Sequence, residues 1–176
     1  MGMYAILYGD DLPPPARGEL SRDKPFYGQN KWHLPIAWLA LFEPQDVWLT
    51  PGVEGWPEGD GSVPRISRPR AQALNLLRSR RDWLLRVFPV CEPAWLDAFE
   101  GVVETAPCMW LHLDVADFVD DIDELRRMLT MFDESPEPLP EFDDPSTFGC
   151  GPPDPLEPGR ARNGRRVLPY IDLDHE

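Results

Sequence analysis

The residues able to do chemistry are few. The chain carries three histidines, His33, His112 and His175, and three cysteines, Cys91, Cys108 and Cys150. The cysteines show no C-x-x-C spacing, which argues against a structural zinc site and against a disulfide framework. His33 and His112 lie far apart, with no H-E-x-x-H pattern. One pairing stands out, His112-Leu113-Asp114. Residues two apart share one face of a strand, so this spacing sets an imidazole beside a carboxylate. Such a pair is half a metal site, or a histidine oriented as a general base, or a plain structural contact. The structural contact is the simplest expectation. The serines (Ser21, Ser62, Ser67, Ser79, Ser135 and Ser146) include none in G-x-S-x-G. There is no P-loop and no G-x-G-x-x-G, and "GCGPPDP" from Gly149 is not followed by a helix pattern. The expectation is a non-enzyme with no cofactor and no metal.

Charge is the strongest signal. The net charge is −14 over 176 residues, and it is unevenly placed. From Asp114 to Asp144, twelve acidic residues face only Arg126 and Arg127. From Arg65 to Arg86, seven arginines face only Asp82. An acidic total argues against phosphate-backbone binding, so no nucleic-acid partner is expected. It favours steered association with a basic protein surface instead.

These charges must be positioned by ordinary elements. "MYAILYG" (Met3–Gly9) reads as an inner strand, and residues 10–31 read as loop. "WHLPIAWLALFEP" (Trp32–Pro44) is too short to cross a bilayer, which needs about 20 apolar residues. Pro35 suits a first helical turn and Pro44 ends the run, so Ile36–Phe42 is expected to be a short buried helix. A pocket lined by Trp32, Trp38 and Phe42 is the alternative. Val47–Leu49 reads as a short strand, and the glycine-rich residues 51–62 as loop. Arg70–Phe88 has helical spacing up to Pro89, and a second helix opens at Pro93 and closes at Pro107. "CMWLHLDV" (Cys108–Val115) reads as a strand. Asp121-Ile122-Asp123-Glu124 has the form of a capping box, ahead of a helix carrying Leu125, Met128, Leu129 and Phe132.

The fold class expected is therefore α+β: a small sheet packed by three to four helices, followed by a Pro-rich C-terminal extension. The domain division is residues 1–135 as one α+β domain and 136–176 as a Pro/Gly-rich extension, with "RRVLPYIDLD" as a possible edge strand. Pro accounts for 22 residues, well above its usual share of about 5%. The N-terminus lacks a basic region and a cleavable apolar core, so a cytoplasmic protein without a membrane partner is expected.

The order "MGMYAILYG", "HLPIAWLALF", "RPRAQALNLLRSRRDWLLRVF", "WLHLDVADFVDDIDELRRML" resembles small bacterial proteins with a Leu-Pro-x-x-Trp-Leu-Ala-Leu-Phe motif. It is similar to the immunity proteins that neutralise polymorphic toxins, including those of type VI secretion, over residues 3–133. That resemblance implies a cytosolic inhibitor that occludes the active site of a cognate toxin with a basic cleft. The expected contact surface is the acidic strand–helix: Asp114, Asp117, Phe118, Asp120, Asp121, Asp123 and Glu124, together with Asp133 and Glu134, with the Asp133–Asp144 acids adding steering. The alternative is a small-molecule binder or enzyme built on the central Trp-rich pocket.

Overall fold

The computed structural model describes residues 4–14, 26–31, 34–50, 62–87, 92–119 and 121–134. They form one antiparallel sheet in the order β2-β1-β5-β4-β3, with helices packed on it. The strands are β1 (Tyr4–Asp10), β2 (Phe26–Lys31), β3 (Val47–Leu49), β4 (Pro64–Pro69) and β5 (Trp110–Asp114). The helices are α1 (Ile36–Leu39), α2 (Arg70–Ser79), α3 (Arg81–Val87), α4 (Pro93–Glu104) and α5 (Ile122–Glu134). The α+β expectation holds. The Pro-rich extension and its possible edge strand lie outside the described residues.

The register separates the sheet into two faces. Leu7 pairs with Leu113, and Ile66 with Leu113 and Val47, so Leu7, Leu113, Ile66 and Val47 share a face. These residues are buried in one apolar cluster with Trp38, Phe42, Leu77, Phe99 and Leu129 from the helices and the α1 turn. Tyr8, His112 and Ser67 are also cross-strand neighbours, and they occupy the opposite face. The Cys108 side chain, just ahead of β5, packs onto Gly9 so closely that an added side-chain carbon there would collide with its Sγ, so glycine is required.

"HLPIAWLALF" is the hub of the core. Every residue from Leu34 to Phe42 is buried, with Trp38 and Phe42 fully so. The helix is a single turn shorter than its apolar run, because the Leu41 and Phe42 amides donate to carbonyls three residues back, those of Trp38 and Leu39. Trp32 lies outside the described residues. Trp38 and Phe42 of the pocket expectation are enclosed in the core.

Three elements differ from expectation. β2 falls within residues 10–31, read as loop; its polar "FYGQNK" sits at the sheet edge, where an apolar alternation is not demanded. β4, "PRISRP", is an internal strand bounded by prolines at its first and last positions, where a missing N–H is tolerated. Finally, the 70–88 helix divides at Arg80. The Arg80 amide donates to the Leu76 and Leu77 carbonyls at 3.1 and 3.2 Å, and the Arg80 carbonyl accepts from Leu84 at 2.9 Å, so α3 follows α2 after one irregular residue.

Candidate partner-binding surface

The acidic segment begins where β5 ends. Arg65 and Asp114 are cross-strand partners, and their side chains form an ion pair on the face opposite the helices. Asp114 also accepts from the Ala116 amide at 3.1 Å, which starts the turn out of the sheet. It is 8% exposed. Asp114 is thus a buried corner residue and not part of an outward surface, correcting the expectation. The Val115 carbonyl accepts from Phe118 at 2.8 Å and Val119 at 3.0 Å, a tight turn that leaves Asp117 exposed. Phe118 folds against the core and is only half-buried, so it is a packing residue more than a displayed aromatic. Asp120 lies outside the described residues.

Asp121 caps α5 as its spacing predicts. Its Oδ1 accepts from the Asp123 amide at 2.7 Å and the Glu124 amide at 2.9 Å, satisfying two donors that a helix start leaves open. Those two bonds favour the charged carboxylate and hold the Asp121 pKa below its ordinary value. The positive end of the helix also favours carboxylates at Asp123 and Glu124. Asp123 is 86% exposed at its side chain and reaches Arg126 only at 3.4 Å. Asp117, Asp121, Asp123 and Glu124 are therefore exposed acids on a turn and helix start fixed by backbone hydrogen bonds.

The far end of α5 is different. Its thirteen residues span roughly 18 Å, and Arg126 and Arg127 are exposed between the two ends. Asp133 binds Arg80, with Oδ1 and Oδ2 3.3 and 3.1 Å from Nη2. Glu134 is the last residue of α5. The acidic run of the sequence is thus an acidic corner plus a separate carboxylate engaged by a buried arginine.

The basic run is the counterpart that the sequence could not resolve. Arg68 Nη1 lies 2.6 Å from Asp46 Oδ2 and 2.5 Å from Glu43 Oε2. Burial pushes the Asp46 carboxyl above its ordinary value, although the Glu43 amide and Arg68 oppose that shift. Arg70 donates to the carbonyls of Cys108 (2.9 Å), Glu104 (2.5 Å) and Val103 (3.4 Å), placing a cation at the C-terminal end of α4. Arg78 reaches Glu100 and Glu104 at 3.2 and 3.1 Å. Arg81 reaches Asp97 and Glu100 at 2.7 and 2.8 Å. The one advance signal was the spacing of Asp97, Glu100 and Glu104, which puts three acids along one side of α4.

The His112–Asp114 spacing resolves into two separate contacts. Both side chains do share a face, but Asp114 is paired with Arg65, and His112 Nδ1 lies 2.7 Å from Ser67 Oγ. Trp48 Nε1 donates to the same Ser67 oxygen at 2.8 Å, and Tyr8 stacks on the imidazole with centroids 5.0 Å apart. His112 and Ser67 are 4% and 5% exposed. The pairing of Ser67 with His112 was not readable from the sequence, because β4 was not. Cys108 is buried, and burial raises its thiol to about 11, far from a reactive thiolate at neutral pH. Among the described residues, no group of three His, Cys, Asp or Glu side chains is placed to hold a metal. None of the described helices is long and apolar enough to cross a membrane. Compared with family models, curated proteins and solved structures, the chain has no significant match.

Proposed function

We propose that this chain is an immunity protein, which binds a cognate bacterial toxin and occludes a basic cleft in it. The observation that supports this reading is the contrast in where charge ends up. The arginines from 65 to 81 are engaged by carboxylates and backbone carbonyls of the chain itself. Asp117, Asp121, Asp123 and Glu124 stay exposed at one corner. A rigid corner of like charge attracts a basic partner from a distance and loses little side-chain and backbone freedom when it docks.

The partner contact is assigned to Asp117, Asp123 and Glu124, with Asp121 shaping the backbone beneath them. Gentle cross-linking in the producing cell, followed by recovery of what is bound in equal amount, identifies the partner. With that partner, the triple variant D117K/D123K/E124K is expected to associate at least about tenfold more slowly at low salt, with the difference shrinking as salt rises. An association rate unchanged by the triple variant would reject this corner as the contact.

A further inference from the structure

Arg80 stands at the break between α2 and α3 with its side chain 3% exposed. Its Nη1 donates to the carbonyls of Ala40 (3.3 Å) and Phe42 (2.5 Å), just beyond α1. Its Nη2 donates to both oxygens of Asp133 on the last turn of α5. The guanidinium carbon lies 4.5 Å from the centre of the Phe132 ring, and Phe132 meets Trp83 of α3 edge-on at 4.9 Å. One cation thereby joins the α1 turn, the α2–α3 break and the end of α5.

The acceptors on that cation differ in kind. The two carbonyls are fixed parts of the core segment and cannot be titrated. Asp133 is 53% exposed, so a competing cation can reach it. We propose that Arg80 and Asp133 form a latch: the Asp133 carboxylate holds the last turn of α5, which carries Phe132, against Arg80 and Trp83, and removing that charge loosens the turn while the sheet and the first half of α5 stay folded. A buried guanidinium that loses its counter-charge disfavours the closed state, and the half-exposed position of Asp133 keeps the effect moderate. The first half of α5 is secured by the Asp121 cap and by Leu125, Met128 and Leu129 in the core, and the last turn by Met131, by Phe132 and by Asp133 on Arg80, so loss of the Asp133 charge loosens that turn without unfolding the helix.

Other charges act on Arg80 as well. Glu43 favours its cation and Arg68 opposes it, while Arg68 is itself bound to Glu43 and Asp46. Because burial raises the pKa of the Asp46 carboxyl beside Arg68, the test is made at constant neutral pH by substitution. Hydrogen–deuterium exchange on the full chain compares the natural protein with Asp133→Asn and Asp133→Glu. In Asp133→Asn, the amides of residues 130–133 are expected to exchange about tenfold faster. The amides of β1, β5 and residues 124–127 should be unchanged, and Asp133→Glu should restore slow exchange. No change at residues 130–133 would overturn the latch. So would an equal acceleration across the sheet, which would make the pair a contributor to global stability only.

Discussion

The basic stretch from Arg65 to Arg86 and the acidic stretch from Asp114 to Glu134 look alike in sequence, each a run of one sign, yet they fold to opposite ends. From Arg65 to Arg81 the arginines bind groups of the chain itself, although Arg78 stays 44% exposed. Their long stems pack along the protein while their forked donors reach carbonyls and carboxylates on other elements. The short aspartates of the turn before α5 have no such reach. Asp121 satisfies two backbone amides at the start of α5, and Asp123 stays 86% exposed beside Arg126. A run of charge therefore does not say whether it is structure or surface. The answer lies in side-chain length and in what the neighbouring elements offer.

The largest effect expected from breaking this comparison is at Arg80. Arg80→Ala removes the partner of two buried carbonyls and of Asp133, and should destabilise the protein by about 3 kcal/mol in urea unfolding. Arg68→Ala should cost about 2 kcal/mol at neutral pH, since it strands Asp46 and Glu43. That loss should depend on pH with a definite sign. The folded-state pKa of Asp46 is raised, so its contribution is fullest in acid, below its ordinary value, and falls as pH rises through the folded value. Without Arg68 the carboxylate is harder to ionise still, so the variant should be closer to the natural protein near pH 4 than at pH 7.

Asp121 supplies the opposite sign from the acidic stretch. Its folded pKa is lowered, so its cap contributes above the ordinary carboxylate range and is lost as pH falls through the folded value. Asp121→Ala should lower Tm by a few degrees at neutral pH and by less in acid, with fraying confined to the first turn of α5. The smallest effect is at the exposed acids. D123K/E124K should lower Tm by only about a degree or two, from the lost charge match at the start of α5, while altering partner association far more, because neither side chain is buried.

Much of the fold was legible because its signals are local. Pro35 and Pro93 at helix starts, the Asp121 cap and the apolar spacing of Leu125, Met128, Leu129 and Phe132 each act within a few residues. β4 was not legible, since "PRISRP" shows no element signal of its own until Arg65 and Arg68 are matched with Asp114, Asp46 and Glu43, residues remote in the chain. The candidate site was legible in part for the same reason. Exposed Asp117, Asp123 and Glu124 followed from charge density, whereas the burial of Asp114 and the capture of Asp133 depend on arginines that only the folded chain brings near.

The most direct test of the account places a photo-cross-linking residue at position 123, on the acidic corner. A control carries it at position 72, on the exposed side of α2. In the producing cell, position 123 is predicted to capture one toxin-like partner in a 1:1 complex (about equal amounts by mass spectrometry), and position 72 to capture none. Capture of that same partner from position 72 but not from 123 would contradict the account.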